Sequence, residues 1–299
     1  MRTISHFING RSVTGTSAIT SPVYNPATGQ VQANLERGDA AILAEAVAVA
    51  KAAQPAWAAV DPLRRARVIF KFKALIEEHR QELVHLMSSE HGKLLGDSNG
   101  ELQRGLDVVE FMCGVPHLQK GEYTQGAGPG VNVHSIREPL GVVAEIPPFN
   151  FPGMIPLWML TPAIAVGNAF ILKPSERAPS AALRLAELAH EAGVPPGIVN
   201  VVQGAQEACS ALQCRGRKAQ QRDPLLPPAC HIPQRLADLR QIAQVVMLAH
   251  ELLVAGLLAG TNQPDHHLAK LRRRSSLNAL RMHSGARIPG RGRDVQKNL

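Results

Sequence analysis

Gly141-Val142-Val143-Ala144-Glu145-Ile146-Pro147-Pro148-Phe149-Asn150-Phe151-Pro152 opens the run of sequence that decides the fold. The first six residues read as a short buried strand, and residues 153–165 read as a helix that stops at Gly167-Asn168. Ala169-Phe170-Ile171-Leu172 is a second strand, residues 179–192 a helix halted by Gly193, and Ile198-Val199-Asn200-Val201-Val202 a third strand. Short apolar strands alternating with helices predict a βαβαβ unit whose parallel sheet is covered on both faces. Ligands of such sheets sit in the crevice at the carboxyl ends of the strands. Two polar segments fall there.

The first is Pro147-Pro148-Phe149-Asn150-Phe151-Pro152, after the first strand. Two rigid prolines hold the turn, so the Asn150 carboxamide can serve as a fixed donor to a developing oxyanion. The same residue also suits an ordinary helix N-cap, and spacing does not separate the two readings. The second is Lys173-Pro174-Ser175-Glu176-Arg177, after the second strand. A Lys and a Glu three apart at that place suit the hydroxyls of a ribose, and they equally suit a surface ion pair on a capped turn.

Upstream, residues 6–13 read as a hairpin around Asn9-Gly10, the dipeptide best able to take positive φ at both central positions. Residues 21–29 form a turn-rich strand edge. Helices are predicted from Asp39 to before Pro55, from Asp61 with Pro62 at its first position, over about 80–92, and after Asn99-Gly100. A glycine-rich connector, residues 126–130, precedes an alternating strand at 131–136.

With 45% hydrophobic and 19% charged residues over 299 positions, the chain can bury a core of about two domains. No run approaches the ~18 apolar residues of a bilayer helix, no secretory h-region follows Met1, and four scattered cysteines favour a reducing, cytoplasmic setting. The net charge of +8 conceals a split, since residues 1–204 carry 17 basic and 18 acidic side chains and residues 205–299 carry 15 and 6. All eleven aromatic residues also precede 205, so the last stretch lacks the largest burial units. Three parts follow: 1–140, amino-terminal strands and helices packing on the unit after them; 141–204, the βαβαβ portion; and 205–299, a basic, aromatic-free tail. The tail's composition resembles translation of a shifted reading frame, and its clustered arginines at 272–274 invite a nucleic-acid reading that the lack of stacking aromatics opposes.

Taken together and 23 residues apart, the two polar segments closely resemble the aldehyde dehydrogenase superfamily. Residues 148–159, Glu90-His91-Gly92-Lys93, Arg104-Gly105-Leu106 and Gln119-Lys120-Gly121-Glu122-Tyr123 resemble its CoA-acylating methylmalonate-semialdehyde branch. The resemblance spans residues 1–204 and implies an α/β fold with a doubly wound, mostly parallel NAD-binding sheet. It further implies NAD-dependent oxidation of malonate or methylmalonate semialdehyde, with decarboxylation and acyl transfer to coenzyme A. By position, Asn150 is then the oxyanion donor, Pro147 and Phe149 line the dinucleotide site, Lys173 and Glu176 hold the adenine ribose beside Arg177, and Arg104 pairs with the substrate carboxylate. The family forms homo-oligomers, although its assembly strand is not recognisable here.

This chain departs from the family at Glu145 and Pro147, where Gly and Thr are usual, and a carboxylate at Glu145 is expected to weaken cofactor binding. After Gly204 neither the catalytic domain nor its nucleophilic Cys is recognisable, and the chain is expected to carry the amino-terminal half of such an enzyme. Cys209, Cys214 and Cys230 have no base partner, Cys113 reads as a core residue, and Cys209-x4-Cys214-x15-Cys230-His231 lacks a usual zinc spacing, so no metal site is expected.

Overall fold

A computed structural model describes residues 1–15 and 17–212. The chain begins with β1 (Arg2–Ile4), a hairpin of β2 (His6–Ile8) and β3 (Arg11–Val13), then β4 (Thr20–Asn25) and β5 (Gln30–Glu36). Four long helices follow, α1 (Ala40–Ala58), α2 (Pro62–Glu78), α3 (Arg80–His91) and α4 (Leu95–Met112), then the single turn α5 (Val115–Leu118). A second hairpin, β6 (Tyr123–Gly128) and β7 (Val131–His134), leads into β8 (Val142–Glu145), α6 (Met154–Ala165), β9 (Ala169–Leu172), α7 (Ser180–Glu191) and β10 (Val199–Val201).

The βαβαβ order and its parallel pairing hold, but β8, expected as a buried strand, is half-buried to exposed because it ends the described sheet with a neighbour on one side only. β8 pairs in parallel with β9, and β9 with β10, so that Glu145 stands opposite Leu172 and Leu172 opposite Val201. β9 is buried at every residue, as a strand covered on both faces must be. α7 presents Ala181, Ala182, Leu185, Ala186 and Ala189 to the core, small side chains that let a helix lie close to the sheet. Beyond β10 the amino-terminal hairpin completes the five-stranded order β3-β2-β10-β9-β8, with β2 antiparallel to β10. That hairpin turns where the sequence places it, with positive φ at both Asn9 and Gly10. β1, β5 and β4 make a separate three-stranded sheet.

Three local expectations are corrected. Residues 126–130 are no connector: they close the β6–β7 hairpin, whose residues are almost all exposed. α1 runs through Pro55 to Ala58 because tertiary anchors hold its last turn; Trp57 is buried and its indole N–H donates to the Ile164 carbonyl at 2.8 Å. α4 begins at Leu95, before Asn99-Gly100, since Ser98 is buried and shares a hydrogen bond with Ser88. Downstream of Gly204 the chain still packs on the core, with Ala208 and Leu212 buried and Arg37 paired with Glu207.

Buried polar side chains tie these elements together. The Arg65 guanidinium donates to the carbonyls of Ala165, Ala58 and Val60 and to Gln119, joining the ends of α1 and α6, and burial lowers its proton affinity. The His6 ring is fully buried; its Nδ1 accepts the Gln203 N–H at 3.0 Å, while Nε2 has no partner. An accepting Nδ1 carries no proton, so a second ring proton would set donor against donor. Burial accordingly pushes the His6 pKa below 6.5, against the smaller opposing pull of Glu36, Asp39 and Glu45.

The unfolded chain therefore takes up this proton at higher pH than the fold does, and stability is lost as pH falls below about 6.5. Asn at this position can accept the same N–H without titrating. The stability of His6→Asn minus that of the wild type is expected to grow on acidification, with a slope approaching ~1.4 kcal/mol per pH unit. Urea denaturation across that range measures it, and parallel curves for the two proteins would refute the role given to His6.

Candidate functional site

The parallel register brings β8 and β9 to an end at the same level, where the Lys173 N–H donates to the Glu145 carbonyl at 2.9 Å. Both polar segments leave the sheet from this edge. They touch one another: the Arg177 guanidinium lies 5.0 Å over the Phe149 ring, whose stacking partner is His91, with centroids 6.0 Å apart and planes 24° from parallel. Cation and aromatic contacts of this kind hold loops at a partly exposed site without closing it.

Each expected site residue can be placed. Pro147 is buried, whereas Phe149 and Asn150 are exposed. Lys173 is 2% exposed and puts its ammonium 3.4 Å from Glu176, whose side chain is partly open to solvent. Arg104 is exposed on α4, and its carbonyl accepts the Trp158 indole N–H at 3.2 Å. The neighbouring Gly105 allows α4 to press against α6, since a methyl group there would come within 2.6 Å of Leu157. Arg104 thus sits at the seam between α4 and α6, the helix that the Asn150 turn enters.

The helix-capping alternative for Asn150 does not survive. The N-cap position of α6 is Gly153, and no side chain of its own segment caps the helix. The acceptor is Glu101 of α4, one oxygen of which takes the N–H groups of Gly153 at 2.8 Å and Met154 at 3.0 Å. Its second oxygen is salt-bridged to Lys93, and Lys93 also donates to the Asn150 main-chain carbonyl at 2.9 Å. Sequence reasoning missed Glu101, although a signal was present: it lies on the stripe Ser98, Glu101, Leu102, Gly105, Leu106 and Val109 that α4 buries. Glu90, quoted above only as part of a motif, is buried and accepts both the N–H of Ser180, at 2.9 Å, and its hydroxyl, beside Arg2. Burial raises the Glu90 pKa, against the lowering effect of those hydrogen bonds and of Arg2.

Glu145 is the exception among these buried acids. Both its oxygens are shut from solvent without a hydrogen-bond partner, and burial alone pushes the carboxyl well above the usual carboxylate range. Of the cysteines, Cys113 is buried on α4's carboxyl end, its Sγ donates to the Val109 carbonyl, and burial raises its pKa; Cys209 is a half-buried free thiol. Cys214, Cys230, His231 and the arginines at 272–274 lie outside the described residues. Among the described residues no helix is long and apolar enough to cross a membrane.

The aldehyde dehydrogenase family profile matches residues 13–218. The chain belongs to the aldehyde dehydrogenase family. Among its relatives, the malonate-semialdehyde dehydrogenase of Pseudomonas aeruginosa is 48% identical over 212 residues, which are 71% of this chain and 42% of that protein. The mitochondrial acylating methylmalonate-semialdehyde dehydrogenase of Arabidopsis thaliana is 45% identical over 70% of this chain and 34% of its own length. A crystal structure from Sinorhizobium meliloti, described as a methylmalonate-semialdehyde dehydrogenase complexed with NAD, is 51% identical with a TM-score of 0.69, covering 74% of this chain and 48% of that one. The chain therefore spans less than half the length of these aldehyde dehydrogenases, and residues 13–218, which the family match covers, carry both polar segments.

A carboxyl whose pKa rises on folding costs stability as pH increases from about 4.5 to its folded value, because the fold must either keep the proton or bury a charge. Glu145→Gln cannot titrate. Its stability relative to wild type is expected to grow over that range at up to ~1.4 kcal/mol per pH unit, read by denaturant titration at several pH values. A difference that does not vary with pH would mean that Glu145 finds a partner in solution.

Proposed function

We propose that this aldehyde dehydrogenase chain binds NAD at the carboxyl ends of β8 and β9, as the cofactor-side portion of a malonate- or methylmalonate-semialdehyde dehydrogenase. The observation that carries the reading is the contact between the two corners: Lys173 and Glu176 on one loop, Phe149 and Asn150 on the other, joined through Arg177 and His91. The donor set fits such a ligand. A buried ammonium beside a half-open carboxylate offers one donor and one acceptor to vicinal hydroxyls.

In this reading Lys173 and Glu176 fix the adenine ribose, with Arg177 alongside, while the backbone around Pro147 and Phe149 lines the cleft. Asn150 presents its carboxamide N–H toward the oxygen of the aldehyde, so that negative charge developing there meets a preset donor. Arg104 holds the substrate's carboxylate, a bidentate task that suits guanidinium. The bound nicotinamide supplies the hydride acceptor, and coenzyme A is the acyl acceptor in the complete reaction, which passes from the semialdehyde through decarboxylation to the acyl-CoA product. The neutral state that burial favours for Glu145 reduces the electrostatic penalty that a full charge would impose on the pyrophosphate.

A second reading, NAD binding without turnover, has a specific observation in its favour. Neither described cysteine is placed as a nucleophile: Cys113 is buried with a raised pKa and Cys209 stands on the half-buried face of residues 206–212, and a thiol without thiolate stabilisation attacks poorly. NADH formation from methylmalonate semialdehyde, NAD and coenzyme A separates the two readings.

Cofactor binding itself is tested by calorimetric titration with NAD. Lys173→Met and Glu176→Gln are each expected to weaken binding about tenfold or more, the usual worth of a charge-assisted hydrogen bond. Glu145→Gly, which removes the buried acid, is expected to tighten it. Affinities unchanged in the first two variants would overturn the placement of the ribose.

A further inference from the structure

Asn150 stands three residues before Gly153, the spacing at which an N-cap side chain accepts the backbone N–H of the third helical residue. A cap of this kind would turn the carboxamide toward the start of α6. In the structure that N–H is already taken. Glu101, 2% exposed, reaches across from α4 to accept from Gly153 and Met154 with one oxygen. Its other oxygen binds Lys93, which is one tenth exposed, lies 5.1 Å over the Phe151 ring, and donates to the Asn150 carbonyl at 2.9 Å. The Asn150 side chain is exposed and forms no hydrogen bond among the described residues.

We infer that Glu101 and Lys93 are positioning residues that keep the Asn150 carboxamide free. Glu101 occupies the Gly153 N–H, the one that Asn150 would take as a cap, together with that of Met154, and Lys93 pins the Asn150 main chain so that the side chain leaves the helix axis. The pair does so from two elements, since Lys93 follows α3 and Glu101 lies within α4. Burying an ion pair is costly, and one that satisfies two helix N–H groups and a turn carbonyl is retained for the geometry it imposes. The consequence for catalysis rests on the reading of Asn150 as the donor to the reacting oxygen; the release of the side chain from capping does not.

The test is amide NMR on the full chain, labelled with nitrogen-15, with the Asn150 side-chain NH2 and the Gly153 and Met154 backbone amides as reporters. In Glu101→Ala the Asn150 side-chain resonances are expected to move to hydrogen-bonded positions as the carboxamide takes over the cap. The Met154 amide, left without an acceptor, is expected to exchange with solvent about tenfold faster. Lys93→Met is expected to move the Asn150 resonances in the same direction, and Lys93→Arg to restore them.

Asn150 resonances that coincide in wild type and Glu101→Ala would overturn the inference. Should Glu101→Ala fail to fold, identical Asn150 resonances in wild type and Lys93→Met would overturn it equally. A wild-type chain that binds no NAD refutes the proposed function and leaves the Asn150 readout intact, so the two failures are told apart.

Discussion

The register between β8 and β9 is the constraint on which the rest depends. Glu145 faces Leu172 across a parallel pair, so the two strands end together and the next residue of β9's chain, Lys173, hydrogen-bonds back to Glu145. Two loops that leave neighbouring strands at one level lie side by side, close enough for Arg177 to reach the Phe149 ring. A slip by a single residue would turn every side chain of β8 to the opposite face and separate Phe149 from Arg177. The buried β9 makes such a slip costly, because all four of its side chains would have to find new neighbours.

Charged groups inside the molecule hold its parts together, each in its own way. Arg65 gathers carbonyls at the ends of α1 and α6, Glu90 fastens α7 to α3 and to the amino terminus, and Glu101 joins α3, α4 and α6 around the Asn150 turn. In each, the desolvation cost is offset by several hydrogen bonds made at once. Glu145 has no such compensation.

Much of the fold was legible because its signals are periodic and local. Short apolar runs between helices, Asn9-Gly10, and Asp61 before Pro62 each act through backbone preferences within a few residues. The errors arose where distant contacts override those preferences. Pro55 did not end α1, since Trp57 is anchored on Ile164, and the glycines at 126–130 became a hairpin turn. The site was half legible. Asn150, Lys173 and Glu176 stood out by residue type and place, but the capping question was settled by Glu101, nearly fifty residues upstream. Local spacing carries no information about an acceptor that arrives from another helix, although an acid on a buried stripe is a sign that something polar waits opposite it.

The central claim is that the corners at residues 147–150 and 173–177 form one cradle for a nicotinamide dinucleotide. A crystal of this chain soaked with NAD tests it most directly. The account predicts density for the adenine ribose between Lys173 and Glu176, with the pyrophosphate running past the turn at 147–150. Density elsewhere on the chain, or none under saturating cofactor, would contradict it.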